Sequence, residues 1–299
     1  MRHHQQSLPQ LAAGELDQDQ ALDAIHTADR VLIGAGAGLS AAAGYDYTDR
    51  ERFRELFPAL SAAGFTARYQ LIGYPLPPRH MWGYWATHVN DIRLGDRPNA
   101  LYQALRSAVG DREHFVMSSN VDALFTRNGF ASESVYTPQG DYALYQCLEP
   151  CTRSVWDARG IVAHVLENYD PLTGQTSEDA VPSCPNCGGE VFLNVFAGSW
   201  YINDHFQPQL DSLNDWLTDT RDSGESLAIV EIGSGFNTPS VIRWPIEHIA
   251  TLIPRATLIR VNRDHPGVPA SLTGRAASLG GDAGDIINRL ITAVERPSA

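Results

Sequence analysis

Basic side chains are in short supply: 22 Lys+Arg stand against 35 Asp+Glu in 299 residues, a formal net charge of −13 with histidines neutral. That deficit argues against a nucleic-acid partner, because gripping a phosphate backbone rests on clustered cations. Long hydrophobic runs are missing, and none approaches the roughly 20 residues that a membrane helix needs. The opening stretch Met1 to Gln20 is polar and lacks the apolar segment of a secretory signal. Cysteine is rare, with four in the chain, too sparse for the disulfide framework of a short secreted protein. Apolar residues at 43% and charged residues at 19% are ordinary fractions and exclude a disordered or fibrous chain. These absences predict a globular, cytoplasmic protein, long enough for one large domain or two modest ones.

The four cysteines are confined to one segment. Cys147 and Cys151 have three residues between them, and Cys184 and Cys187 have two. Buried free thiols would be scattered along the chain. Two close pairs suit a tetrahedral zinc, each pair gripping the metal from a tight knuckle. Pro185, Asn186, Gly188 and Gly189 supply turn chemistry for the second knuckle. Four thiolates fill the coordination sphere, so the expected zinc is structural rather than catalytic.

Residues 1–20 read as a polar tail, followed by a helix from Ala21 to Arg30 with Leu22, Ile25 and His26 on one face. Val31 to Ile33 is a short apolar strand running into Gly34-Ala35-Gly36-Ala37-Gly38. Similar strands are His114 to Ser118, Leu227 to Ile232 and Thr257 to Val261, with helices such as Asn99 to Val109 and Val241 to Leu252 between them. Strands alternating with helices predict a parallel α/β sheet covered on both faces. Two stretches interrupt the alternation. Residues 69–97 are rich in aromatics and proline and read as helical around Trp82 to Arg93. Residues 140–199 hold the cysteines and a hydrophilic segment, Asn168 to Asp179, expected to be an exposed loop. Both read as insertions into one α/β core spanning residues 21–299.

Several strand ends carry polar or glycine-rich sequences. Gly36-x-Gly38-x-x-Ala41 fits a relaxed dinucleotide fingerprint, since a backbone approaching a pyrophosphate needs glycine and a helix N-terminus attracts the anion. Asp49, Glu51 and Glu55 lie where a ribose-binding acid can fall. Close packing of a small-residue turn is the alternative. At Ser118-Ser119-Asn120-Val121-Asp122, the Asn and Asp side chains could hold an amide and a ribose hydroxyl, or Asn120 could simply cap a helix. Tyr136-Thr137-Pro138-Gln139-Gly140-Asp141 leads into the first cysteine pair and reads as a turn. Glu231 to Pro239, Val261-Asn262-Arg263 and Gly281-Asp282-Ala283 are further strand ends. Several such ends in one parallel sheet point to a nucleotide crevice.

In this order the motifs resemble the sirtuin family. Gly36-Ala37-Gly38-Leu39-Ser40-Ala41-Ala42-Ala43-Gly44 is similar to the family's GAGIS-x-x-S-G opening. Asn120-Val121-Asp122 is similar to its QN-I-D segment, and the cysteines fall where its zinc ribbon lies. Gly233-Ser234-Gly235 and Asn262 match its G-T-S and N-x-x stretches. The resemblance runs from about Ala21 to Leu290. It implies a Rossmann-type parallel sheet with an inserted small zinc-ribbon and helical lobe, binding NAD in the cleft between them. It further implies that Gly36, Ala37, Gly38 and Ser40 cradle phosphates, and that Asn120 and Asp122 position nicotinamide and ribose. Gln139 is expected to hydrogen-bond ribose hydroxyls, with Gly233, Ser234, Asn237, Asn262, Asp282 and Ala283 lining the rest of the groove.

Two departures from the family pattern set the sub-class. Deacylating sirtuins carry a general-base histidine where this chain has Gln139, and a neutral amide cannot take up a proton near pH 7. Tyr45-Asp46-Tyr47-Thr48 stands where the usual sequence is I-P-D-F-R. With the Gly-x-Asn-Thr-Pro run, these features resemble the macrodomain-associated class M sirtuins. That class implies ADP-ribosyl transfer onto a protein acceptor, possible carriers being lipoyl proteins of the glycine-cleavage H type, with a macrodomain hydrolase encoded nearby. Expelling nicotinamide is common to deacylation and transfer. Only deacylation then needs a ribose hydroxyl deprotonated, the step that leans on the histidine. The competing readings are an NAD-dependent lysine deacylase with another base, an NAD glycohydrolase, a Rossmann dehydrogenase and a non-catalytic NAD or ADP-ribose sensor.

Overall fold

Successive residues along the central strands alternate between two hydrophobic cores, because side chains in a strand point to opposite faces. Val31, Ile33 and Ala35 join one core while Leu32 joins the other, and Val116 and Phe115 divide in the same way. A sheet buried on both faces has no polar side, which is why these strands read as unbroken apolar runs. The structure, a computed structural model, describes residues 15–294, with side chains through residue 289.

The chain runs α1 (Gln18–Thr27), β1 (Arg30–Ala35), α2 (Ala37–Ala42), α3 (Arg50–Leu56), α4 (Pro58–Ala62), α5 (Pro78–Ile92), α6 (Ala100–Val109) and β2 (Glu113–Ser118). It continues with α7 (Leu124–Arg127), β3 (Val135–Tyr136), β4 (Gly140–Cys147), β5 (Trp156–Asp157), α8 (Arg159–Glu167), β6 (Tyr169–Asp170), β7 (Gln175–Thr176) and β8 (Val191–Val195). The last elements are α9 (Gln207–Ser223), β9 (Leu227–Ile232), α10 (Arg243–Leu252), β10 (Ala256–Val261), β11 (Ala276–Leu279) and α11 (Ala283–Val294).

Six strands form the main sheet in the order β11-β10-β9-β1-β2-β3, and every neighbouring pair is parallel. Helices α1, α6 and α11 cover one face, and α9 and α10 supply Leu213, Ile246 and Ala250 to the other. From β1 the chain builds outward through β2 and β3 on one side, then returns to build β9, β10 and β11 on the other. The order therefore reverses at β1. Parallel sheets open a crevice beyond the carboxyl ends of the strands at such a reversal. The expected α/β Rossmann-type architecture with its inserted lobe is what the chain adopts.

The inserted lobe is organised by a third core, in which Phe53, Phe57, Trp82, Tyr84, Trp85 and Leu193 meet. An antiparallel sheet, β5-β4-β8, and the hairpin β6-β7 complete it. The lobe's core takes in α3 and α4, so the helical insertion begins ahead of the stretch 69–97. Both helices are short, seven and five residues, too short to show a 3.6-residue period in sequence. The polar Asn168 to Asp179 segment is not a bare loop. It holds the β6-β7 hairpin, and Thr176 is fully buried with its hydroxyl donating to the Val165 carbonyl. The first helix starts at Gln18 rather than Ala21, because Asp17 caps it through a reciprocal box with Gln20. Of the expected tail, residues 1–14 lie outside the described residues.

Candidate functional site

A cleft of about 430 Å³ opens beyond the carboxyl ends of β1, β2, β9, β10 and β11. Its floor exists because three glycines touch. A Cβ on Gly36 would sit 2.7 Å from the Gly233 carbonyl oxygen, and one on Gly38 would sit 2.7 Å from the Gly233 Cα. Gly233 also holds a φ of 68°, in the left-handed region that favours glycine. The Gly38 amide donates to the Gly233 carbonyl at 3.1 Å, and the Gly36 amide donates to Ile232 at 2.9 Å. Small-residue packing and ligand approach are thus one arrangement here. Without Cβ atoms the two loops seal the sheet end and leave room above it.

Of the residues expected to hold a dinucleotide, Gly36, Ala37, Gly38, Gly233, Ser234, Asn237, Asn262, Asp282 and Ala283 line this cleft. Ser234, one of these lining residues, is 5% exposed, and its buried hydroxyl has no hydrogen-bond partner. Asn262 is committed within the protein. Its amide donates to the Ser234 carbonyl at 2.8 Å and accepts from the Asp264 and His265 amides at 3.1 and 2.9 Å, tying two lining loops together. Asp282 caps α11, accepting from the Gly284 amide at 2.8 Å. Asp49, Glu51 and Glu55 are not among the lining residues. Asp49 caps α3 and Glu55 pairs with Arg52, because α3 begins at Arg50 and carries them away. The cleft also presents Asp46, Phe236, Arg263, Asp264 and His265; the first three lie inside runs that the sequence marks without a role for them, and the last two directly follow one.

Asn120 and Asp122 sit at the β2 end of the cleft, behind the lining residue Ser119. The Asn120 side-chain amide donates to the Gly36 carbonyl at 3.0 Å, bridging the ends of β1 and β2. It is therefore not a helix cap. The capping role falls to Asp122, whose Oδ1 accepts from the Leu124 amide at 2.9 Å while Oδ2 accepts from the Ser40 hydroxyl at 2.6 Å. Ser40, expected at the phosphates, is instead directed at Asp122, and the Tyr102 hydroxyl lies 3.4 Å from it. Burial raises the Asp122 carboxyl above the usual carboxylate range, against the pull of those hydrogen bonds. Burial likewise drives the Tyr102 phenol well above its ordinary value.

Gln139 is half-buried on the turn ahead of β4 and is not one of the cleft-lining residues. Its carbonyl accepts from the Phe196 amide at 2.9 Å. Next to it, Gly140 has a φ of 104°, and a Cβ there would meet the Asn194 carbonyl oxygen at 2.1 Å, so only glycine fits this junction. Gln146 and Asn194, both fully buried, hold the loop that follows β8. The Gln146 Oε1 accepts from Asn194 Nδ2 at 2.6 Å and from the Ile202 amide at 2.9 Å. Asp141 is clamped by Arg93 through both carboxylate oxygens at 2.7 and 3.0 Å. Beneath this end, Tyr47 hydrogen-bonds Tyr142, and both rings pack on His88 with centroids 5.0 and 5.2 Å away.

The four cysteines come together in the inserted lobe, with all Sγ atoms within 4.8 Å of one another. Cys147 and Cys187 are 3.7 Å apart and Cys151 and Cys184 3.6 Å. Four thiolates at about 2.3 Å from a tetrahedral zinc lie about 3.8 Å apart, so the cluster fits that ion. The β4 and β8 strands bring the two pairs together although Cys151 and Cys184 are 33 positions apart in sequence, because Cys147 pairs with Val191 in their ladder.

No family model matches the chain. It is 36% identical over 245 residues to a probable bifunctional ADP-ribose hydrolase/ADP-ribosyltransferase of Fusarium oxysporum f. sp. cubense, covering 79% of this chain and 41% of that protein. The chain thus spans about two fifths of that relative's length. It is 28% identical over 274 residues to a protein ADP-ribosyltransferase of Staphylococcus aureus, covering 88% of this chain and 84% of that one. Among solved structures, a Sir2 homologue bound to NAD superposes with a TM-score of 0.58 at 17% identity, covering 95% of this chain and 96% of that one. A Sir2 homologue mutant in complex with 2′-O-acetyl ADP ribose matches with the same score and identity over 93% and 96%.

Proposed function

We propose, from a chain that has the sirtuin fold and curated ADP-ribosyltransferases as relatives, that it transfers ADP-ribose from NAD to a protein acceptor. The observation that carries the reading is the cleft itself: a glycine-floored crevice at the sheet's reversal point, with the Ser234 hydroxyl unpartnered in its wall. Gly36, Ala37 and Gly38 leave backbone exposed where a pyrophosphate can approach. NAD supplies an ADP-ribosyl group when nicotinamide leaves. The chain's contribution at that end is Asn120 and Asp122. Asn120 is fixed on the Gly36 carbonyl, and Asp122 is fixed by Ser40 and Leu124, which orients both for a ribose and a carboxamide.

Gln139 orients a ribose hydroxyl and accepts no proton. Among the described residues, the one histidine lining the cleft is His265, at the β10 end rather than beside Gln139. What favours transfer over deacylation is the neutral amide at 139, which cannot take up a proton near pH 7. Cys147, Cys151, Cys184 and Cys187 would hold a zinc that ties the end of β4 to the knuckle ahead of β8 and so steadies the strand that the Gln139 turn leads into. The acceptor's identity belongs to the same proposal. A lipoyl carrier of the glycine-cleavage H type is the expected class, and a separate hydrolase that removes the mark is in keeping with the bifunctional name of the Fusarium relative. No described helix is long and apolar enough to cross a membrane, and we place the protein in the cytoplasm.

The test is incubation with NAD labelled in its adenosine half, a lipoylated carrier and, separately, acyl-lysine peptides. Label on the carrier with nicotinamide released in step is expected. Brisk deacylation with an unlabelled carrier would refute the proposal, and free ADP-ribose alone would point to hydrolysis. The chain contains no lysine, all 22 basic side chains being arginine, so label on its own lysines cannot confuse the assay. Asn120→Ala should lower nicotinamide release by about 100-fold or more, the range for losing one preorganised polar group, with the fold retained by circular dichroism.

A further inference from the structure

One aromatic ring in the cleft wall is 55% exposed: Phe236, on the loop after β9. Single exposed apolar side chains are ordinary on a protein surface, but this one is held from behind. The Arg243 guanidinium lies 4.4 Å from the ring centroid, and the His265 ring meets its edge at 5.1 Å and 79°. Arg243 is buried and does not line the cleft, whereas His265 lines it beside Phe236, so the ring is backed by the guanidinium and flanked by the imidazole. A flat apolar face presented to a polar crevice is what an aromatic base can stack on.

The support beneath the ring is extensive. Arg243 is 4% exposed and donates to the carbonyls of Ser234, His265 and Gly267 at 3.3, 3.1 and 3.0 Å. It thereby joins the two loops that flank Phe236. The Glu231 and Glu247 carboxylates lie 3.9 and 3.8 Å away. Arg260, 1% exposed, binds both glutamates and donates to Gly267 at 2.6 Å. A buried arginine is costly unless it is paired and hydrogen-bonded. Two of them, with two glutamates, sit directly under a loop that a bare packing requirement would fill with apolar side chains.

We propose that Phe236 is the platform on which the purine of the dinucleotide stacks, and that Arg243 is the positioning residue that holds it there. The inference rests on reading the cleft as an NAD site: with nicotinamide toward Asn120 and phosphates over Gly36 to Gly38, the adenosine half falls over β9 and β10. Arg243 never meets the ligand. It acts by fixing the ring and the two loops, so its loss changes affinity and not the chemical step.

The full chain is titrated calorimetrically with ADP and, separately, with nicotinamide mononucleotide, which lacks the adenosine half. Nicotinamide release from NAD is followed alongside. Phe236→Ala should weaken ADP binding and raise KM for NAD by about ten-fold, with kcat and mononucleotide affinity within two-fold of the parent. Phe236→Tyr should restore ADP binding. Arg243→Lys keeps a cation under the ring and loses the forked carbonyl contacts, and should raise KM several-fold at unchanged kcat. Unchanged ADP affinity in Phe236→Ala overturns the proposal, as does a parallel fall in mononucleotide affinity or an effect on the protein acceptor alone. A parent chain that binds neither NAD nor ADP sinks the NAD reading itself, a failure seen before any variant is made.

Discussion

His88 has no exposure to solvent, and neither of its ring nitrogens has a hydrogen-bond partner. It is boxed in by Tyr47, Tyr84, Trp85 and Tyr142. Burial holds its pKa well below the ordinary value, and the nearby Arg68 cation adds to the effect. The native state therefore keeps His88 neutral while the unfolded chain protonates it below about pH 6.5. Its contribution to stability is present above that pH and is lost as the pH falls, at up to about 1.4 kcal/mol per pH unit. Melting curves at pH 7.5 and 5.5 should show His88→Phe losing a few degrees less than the parent. An equal loss in both would mean that the ring is not the proton-sensitive group. Nothing in the sequence marks His88, because a histidine in an aromatic stretch carries no spacing signal. Asn120, by contrast, was legible from its place after a strand, although its partner, the Gly36 carbonyl, was not. Eighty-four residues separate them, and only the pairing of β1 with β2 brings them together.

The elements that make the site are turns rather than helices or strands. At the end of β1, Gly38→Ala would drive a Cβ to 2.7 Å from Gly233. Backbone on both sides leaves no flexible side chain to yield. We expect a loss of about 1–3 kcal/mol, the usual cost of overpacking, and NAD binding too weak to detect by calorimetry. Retention of parental affinity would show that the glycine contact is not what shapes the floor. In the inserted lobe, a metal on the four cysteines would join the end of β4 to the knuckle ahead of β8. Treating the protein with a strong chelator should release about one zinc per chain, the stoichiometry of a four-thiolate site. The proposed transfer activity should fall with it, since the Gln139 turn leads directly into β4. Cys184→Ser should behave like the chelated protein. The sequence marked this element well, because cysteine pairs signal through identity and spacing. It was silent on α3, α4 and the β6-β7 hairpin, whose lengths are below those at which periodicity shows.

Over the whole molecule the charge is −13, and the cleft wall carries Asp46, Asp264 and Asp282 against Arg263. The dinucleotide of the proposed reaction would approach against that field. Added salt screens the repulsion, so raising ionic strength from low to physiological should leave KM for NAD unchanged or lower it by about two-fold. A marked rise in KM would indicate an attractive field that these residues do not provide. The sequence alone determined the α/β class, the strand ends that form the crevice, the four-cysteine cluster and the presence of an amide at 139. Each of these depends on local identity, short spacing or a strand's own period. Tertiary structure decided that Ser40 serves Asp122, that Asn262 ties loops together, that Asp49, Glu51 and Glu55 do not line the cleft, and that Phe236 rests on Arg243. Those outcomes depend on which distant segments meet. That is fixed by the packing of both sheet faces and the reversal of strand order at β1, which no local stretch of the chain contains.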